Sequence, residues 1–499
     1  MADAAPVPQP QLRRELGLLP LAATGICSML GAAINILPFS IQRNVPGIGP
    51  SVLLAFALGA VPAIFAALAY AHLASAMPRA GGSYVYASRA LHPALGFIAS
   101  FSQWFGVCVG MGVVSYVLPN PFLRDVALAL EMPELAAALT RPWVHVGLAL
   151  AFVWTFVAVN VRGLRVYSLT LVPMMFLMFA LGAVVIVSGW VYDRGDFAAA
   201  VLAAEGTRLV ERAAPPLEPA KLMAAAAILF SSFVGFDSIA QAGGEARNPG
   251  RAMPLAFAIA VGSVGAFYLL FTASVYRVVP WSYIAERAQL EDLTAAGLLA
   301  YVLPAGWTVP IVAGAAVALI NDLPAMLLAT SRLMFAWAED RIFPRGIAAV
   351  HPRFHTPHVA LVASGAMASL AIVGSHLAGD FFLGADILAT ALLVNFLLMC
   401  LSVLVLPARA PHLAVHARFL TSRPAQWVVG AAGMAVIAVF LVAHVAKDLQ
   451  SERAAWFHHP TALWILVMSA AALIFVVEWR KLRQSGLDTA AYFRELPPD

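Results

Sequence analysis

Three places in this chain combine residue types and positions that do chemistry inside otherwise apolar runs. Thr24-Gly25-Ile26-Cys27-Ser28-Met29-Leu30-Gly31-Ala32-Ala33-Ile34-Asn35 and Ile228-Leu229-Phe230-Ser231-Ser232-Phe233-Val234-Gly235-Phe236-Asp237-Ser238 gather glycine, serine and one acid. Small and helix-weakening residues in two spans predict paired breaks, whose freed backbone groups bind a solute. Close helix packing through the same small residues is the alternative. The third place is Asp322, beside Asn321 and midway between Trp307 and Trp337, the expected interface markers of one helix. An ionisable group at such depth costs several kcal/mol and is a functional candidate by default. Asp322 suits a proton, a sodium ion or a substrate amine; a hydrogen-bonded structural aspartate is the competing reading.

The elements that position these groups follow from composition. Apolar residues make up 62% of the chain and charged residues 11%, and the mean hydropathy is +0.84. A soluble chain of 499 residues cannot hide so much hydrocarbon, so the bilayer is the solvent. A crossing helix needs roughly 20 apolar residues. About twelve segments qualify, near 18–39, 50–77, 93–118, 142–160, 167–191, 221–244, 253–278, 306–336, 358–378, 382–406, 426–446 and 461–479. The expected fold class is an all-α polytopic membrane protein. Placing both termini in the cytoplasm puts most of the Lys and Arg on that side, as retention of basic loops requires. The formal net charge of +4 is then a product of topology and implies no nucleic-acid surface. The opening MADAAPVPQP is too polar for a signal peptide, so the first helix is expected to direct insertion into a plasma or inner membrane. Cys27, Cys108 and Cys400 all fall inside helices, as packing residues rather than a disulfide framework. His72, His145 and His444 show no ligand spacing; no metal site, cofactor or enzyme nucleophile is expected.

Several motifs carry a family resemblance. From Leu323 an apolar helix runs into Ser331-Arg332, then a basic loop ends in His351-Pro352-Arg353-Phe354-His355-Thr356-Pro357. Met77-Pro78-Arg79-Ala80-Gly81-Gly82-Ser83-Tyr84-Val85-Tyr86 is followed by Gly96-Phe97 and Trp104, and Phe233-Val234-Gly235-Phe236-Asp237 by Gly244-Glu245-Ala246-Arg247-Asn248-Pro249 and Arg251-Ala252-Met253-Pro254. Together, over about residues 15 to 405, these resemble the amino acid–polyamine–organocation family of secondary transporters. The resemblance implies a 5+5 inverted-repeat core with broken helices 1 and 6 and two peripheral helices. The implied division is 1–17, an N-terminal segment; 18–191, the first repeat; 192–220, an external loop; 221–406, the second repeat; 407–482, helices 11 and 12; and 483–499, a tail.

By the same resemblance, the substrate carboxylate meets the backbone of Gly31, Ala32 and Ala33, while its amine meets carbonyls near Met29, Ser231 and Val234. Half-helix ends make this sensible, because an N-terminus carries about half a positive charge and a C-terminus the opposite. Ile34, Asn35, Gly235, Phe236 and Trp104 flank this site. The chain departs from the family pattern in four places. Relatives commonly have Gly-x-Gly-Ile-Phe where Gly31-Ala32-Ala33-Ile34-Asn35 stands, so Ala33 adds a methyl at the point of close approach. Asn35 either binds substrate or satisfies the broken backbone. Ser231 replaces a bulky aromatic gate. Met178 occupies the position of a lysine that some relatives use for the proton, so coupling falls to Asp322 with Asn321, or to Asp237. Asp237 is expected to cap the second half of helix 6, with a secondary role in gating. Glu245 and Arg247 are expected to pair or to face the cytoplasm.

The implied function is a permease moving an amino acid or related amine by alternating access, proton-coupled. An exchanger of amino acids or polyamines and a sodium-coupled symporter are the alternatives, and a non-transporting nutrient receptor is the reading from another class. The coupling ion is H+ or Na+. The partners are a small-molecule substrate and the bilayer; no nucleic acid and no obligatory protein partner is expected.

Overall fold

The computed structural model describes residues 11–210, 212–378, 381–451 and 456–497, so the expectation about the first ten residues lies outside it. Eleven helices among these residues are long and apolar enough to cross a membrane. They are α2 (Val52–Ala76), α3 (Pro93–Val117, continuing outward), α4 (Pro142–Val161), α5 (Leu164–Val191), α6 (Pro219–Gln241, interrupted), α7 (Pro249–Val278), α8 (Thr308–Glu339), α9 (His358–Ala378), α10 (Phe381–Arg409), α11 (Gly433–Gln450) and α12 (Pro460–Gln484). The remaining span, α1, has only a 12-residue first half, α1a (Leu18–Met29), followed by α1b (Leu37–Asn44). With it the count reaches the twelve expected from hydropathy, and the fold is all-helical as the composition required.

Helix α8 is central: it packs against α1a, α3, α5 and α9. Helices α11 and α12 lie outside, against α10. The outward faces carry the exposed apolar side chains, Leu169, Phe176 and Trp190 on α5 among them, which is the arrangement expected where lipid is the neighbour. The stretch after Tyr192 is not all loop. Asp193 accepts from the N–H groups of Gly195 and Asp196 in a capping box that starts a helix, Arg194–Glu205.

The face that bears Leu16 and Pro497, near the two ends of the described chain, is held shut by polar contacts. Leu16 exchanges backbone hydrogen bonds with Glu245 and Arg247. Gly81, at φ +70°, donates its N–H to the Gln241 carbonyl; a methyl there would collide with Ala336 and lie 2.8 Å from the Arg332 carbonyl oxygen. Two fully buried ion pairs fasten α8 on this side: Arg332 to Glu245 at 2.8 and 3.0 Å, and Arg89, on the helix Gly82–Ala90, to Asp340. Glu245 therefore turns inward to α8 and does not pair with Arg247. Its turn, Gly243–Glu245, points the carboxylate at a guanidinium whose two-pronged geometry matches it. Beyond α12 the chain returns to the same face: Arg79 donates to the Pro497 carbonyl, Arg89 to that of Glu495, and Arg89 stacks over Phe493.

Trp307 is half exposed, in keeping with an interface position, but Trp337 is wholly buried. It lies among Phe97, Phe101, Trp104 and Phe343, with its indole N–H bonded to Ser100. Trp337 is thus a core residue, because α8 is enclosed by other helices over this stretch.

Candidate functional site

Helices α1 and α6 are both interrupted partway along. Helix α1a ends at Met29; Leu30 and Gly31 leave helical geometry, and a tight 3-10 turn, Ala32–Asn35, leads to α1b. The N–H groups of Ala32 and Ala33 open that turn, so they have no partner within it. Helix α6a (Pro219–Leu229) passes into a 3-10 turn, Phe230–Phe233; Val234 is extended and Gly235 has φ +123°. Only one helical turn, α6b (Ser238–Gln241), follows.

The two breaks touch. A methyl placed on Gly235 would overlap the Ser28 carbonyl oxygen and lie 3.0 Å from the Met29 nitrogen, and the Ser238 hydroxyl donates to the Thr24 carbonyl at 3.3 Å. Sequence spacing gave no sign of this contact, which depends on the backbone of one broken helix lying on the other. The Met29 carbonyl, expected to be open, already accepts the Gly31 N–H at 3.0 Å and the Tyr268 hydroxyl of α7 at 2.6 Å. Its two lone pairs are engaged, so an amine reaches it only when Tyr268 turns away. The Ser231 hydroxyl is bonded back to the Ile228 carbonyl, while the Ser231 carbonyl receives a long bond, 3.4 Å, from Val234.

Asp322 lies against the α1 break. Its Oδ2 is 3.4 Å from where a Gly31 methyl would stand. Its Oδ1 is buried without a hydrogen-bond partner, and no ion pair among the described residues involves it. The neighbouring Asn321 donates to the Cys27 thiol at 2.9 Å and leaves its own oxygen unpartnered. One to three turns toward the start of α8, Ala318, Ala315, Gly314 and Ile311 line a cleft with Leu30, Gly31, Ile34 and Asn35, closed by Met178 and Gly182 of α5 and Phe267 and Phe271 of α7. Among the described residues, Asn35 is the single polar side chain in that lining.

Phe236 and Trp104 do not join this cleft. Phe236 stacks on Phe396 with ring centroids 5.0 Å apart and meets Tyr70 and Phe257 edge-on. Trp104 packs on Phe101 and Trp337, its N–H bonded to Ser364 of α9.

Asp237 stands at the N-cap position of α6b, yet its side chain makes no capping hydrogen bond. Instead Gln103 of α3 donates to its Oδ2, and its Oδ1 is unpartnered. Gln103 in turn accepts from Asn395 of α10 at 2.9 Å. Asn395 reaches Tyr70 at 2.7 Å, and Gln241 donates to Ser83 at 2.7 Å. All six side chains are buried. This network was missed in the sequence, although Gln103, Gln241 and Asn395 each interrupt apolar runs and carry the same signal that drew attention to Asp322.

Among relatives of known sequence, an uncharacterised transporter of Mycobacterium tuberculosis is 32% identical over 376 residues, 72% of this chain and 74% of its own. The branched-chain amino acid permease of Bacillus subtilis is 25% identical over 427 residues, 82% and 84%. Human cationic amino acid transporter 4 is 28% identical over 373 residues; the match takes in 71% of this chain but only 54% of that protein. Residues 16–471 match the amino acid permease family, a span that encloses both breaks, Asp322 and the buried network. A helical bundle with two touching breaks, matched over nearly its whole length, places the chain in the amino acid permease family of amino acid–polyamine–organocation transporters.

Proposed function

We propose that this permease lies in a plasma (inner) membrane with both termini cytoplasmic, and carries an amino acid through a site at the α1 and α6 breaks. The contact of Gly235 with Ser28, with Asp322 set against Gly31, is the observation that carries this reading. The carboxylate is received by the N–H groups of Ala32 and Ala33 beside Gly31. The amine goes to the carbonyls of Ser231 and Val234, and to Met29 once Tyr268 has moved. The apolar lining by Leu30, Ile34, Phe267 and Ile311 favours an aliphatic side chain, as in the branched-chain relative. Coupling falls to Asp322, since Met178 cannot hold a charge, with the Asp237 network in a gating role between the repeats 18–191 and 221–406.

Purified protein in liposomes, given labelled leucine or arginine and either an inward proton gradient or an inward sodium gradient, tests this. Uptake of leucine above that of protein-free liposomes is expected. Accumulation of neither amino acid under either gradient, with no counterflow, overturns the reading in favour of a binding protein without transport.

A further inference from the structure

The chain between α3 and α4 folds into a helical hairpin. Beyond Val117 the backbone bends where Asn120 leaves helical geometry (φ −144°, ψ 117°). Two short helices follow, Arg124–Ala129 and Pro133–Leu139, joined through Glu131 at φ +58°. Ala127, Ala136 and Leu139 are buried together, against Leu123 and against Leu148 of α4. The larger apolar side chains are not buried: Leu128, Leu130, Met132 and Leu135 are each 45–52% exposed. Single exposed apolar residues are ordinary, but a cluster of this kind marks a surface that meets a partner.

Depth says which partner. Helix α4 has 20 residues, about 30 Å, which equals the hydrocarbon core of a bilayer. Its first turn therefore stands at the boundary, and Trp143 in that turn is 73% exposed, as an interface tryptophan is. Leu148 lies six residues after Pro142, about 9 Å along α4, and the hairpin's own core rests on it. The hairpin thus lies alongside the start of α4 rather than standing above it. Charge does not hold it there, because residues 124–141 carry two arginines and three acids, and Arg124 is 4.0 Å from Asp125. A second copy does not account for the patch either, since four half-exposed side chains fall well short of the about 800 Å² per partner of a stable interface.

We propose that this hairpin is a membrane anchor, lying in the leaflet away from Leu16 and Pro497 with Leu128, Leu130, Met132 and Leu135 among the acyl chains near the headgroups. The partner is the lipid surface, engaged by apolar burial and with no need for anionic headgroups. The root of the hairpin joins the anchor to the transport core: Leu118 and Phe122 pack on Ala315, Ala316 and Leu319 of α8. Lipid then holds α3 and the first half of α8 at a fixed depth, as a frame against which the broken helices move.

The test uses the full-length chain in liposomes, with a nitroxide on one introduced cysteine: Leu128→Cys, Leu130→Cys, Met132→Cys or Leu135→Cys. The native Cys27, Cys108 and Cys400 are buried and stay unlabelled. Thr207→Cys, in the exposed stretch after the helix Arg194–Glu205, is the aqueous reference. Collisions with oxygen, which concentrates in hydrocarbon, are compared with collisions with a nickel chelate, which stays in water. The oxygen-to-nickel ratio is expected to be several-fold higher in the hairpin than at the reference. It should be the same in phosphatidylcholine vesicles and in vesicles with phosphatidylglycerol added. A variant that fails to fold is replaced by another of the four, since each reads the same surface. A ratio equal to the reference places the hairpin in water and overturns the proposal. Labels shielded from both reagents, with spin–spin broadening that vanishes on dilution by unlabelled chain, assign the patch to a second copy and also overturn it. A high ratio that appears only with phosphatidylglycerol overturns anchoring by apolar burial.

Discussion

The Cα of Gly235 is so close to the carbonyl oxygen of Ser28 that a Cβ on it would overlap that oxygen. No side chain fits there, and the backbone of Gly235 is in addition at φ +123°, where an L-residue is strained. Gly235→Ala is therefore expected to push the two breaks apart. The strain alone costs roughly 1–3 kcal/mol, and the clash adds to it. Thermal unfolding in detergent should show a loss of several degrees or no folded protein, whereas Ser231→Ala, in the turn just before, should melt close to wild type. A Gly235→Ala variant with unchanged stability would mean that the breaks do not touch.

Ala33 is expected to be the limit of bulk at the α1 break. Ala33→Leu should abolish amino acid binding while the protein stays folded, because the added side chain stands where the backbone must approach the ligand. Unchanged affinity in a well-folded variant would remove Ala33 from the site.

The Arg332–Glu245 pair is buried to 1% and 0% side-chain exposure. Glu245→Gln leaves a guanidinium enclosed without its counter-charge, at a cost of roughly 3–5 kcal/mol. Replacing both, Arg332→Met with Glu245→Leu, removes the charge as well and should recover much of that stability. A single variant as stable as the wild type would show that water reaches this pair.

Apart from the candidate membrane spans, Glu205 ends the helix Arg194–Glu205 and accepts hydrogen bonds from Tyr301 and Arg287. The Tyr301 hydroxyl first, and the Arg287 guanidinium after it, hold this carboxyl below its usual value. A lowered folded pKa means the contact is at full strength above the ordinary glutamate value of about 4.3 and is lost as pH falls through the lowered one. Hydrogen-exchange protection in Arg194–Glu205, with the intrinsic pH dependence of amide exchange divided out, should therefore be flat from neutral pH down to mildly acid conditions and fall only below. Glu205→Gln should show no acid step. A step near neutral pH in the wild type would assign the contact to another group.

How much of this was legible in the sequence depends on what each feature is made of. Spans such as α2 and α7 are read from apolar length alone, since the bilayer imposes that length. The breaks were legible because Gly31 and Gly235 weaken helices locally. What lies between helices was not. Trp337 and Trp307 look alike in sequence, and only the enclosure of α8 makes one a core residue and leaves the other at the surface. Glu245 is closer in sequence to Arg247 than to Arg332, yet the turn after α6b hands it to the distant partner. The closure of the Met29 carbonyl by Tyr268 joins residues of two different spans and leaves no periodic trace.

The tail after α12 has a practical meaning for anyone producing this protein. Its last described residues give up carbonyl groups to Arg79 and Arg89, and His412 takes that of Arg494. All three donors sit on the face that must part when the site opens to that side. An affinity handle or fluorescent fusion joined directly after Pro497 would be tethered at this seam, where it can obstruct the parting or lever it open. Transport rates measured on such fusions would then report the handle as well as the permease, and Leu16 is bonded into the same face, so a handle at either end is best cleaved before kinetics.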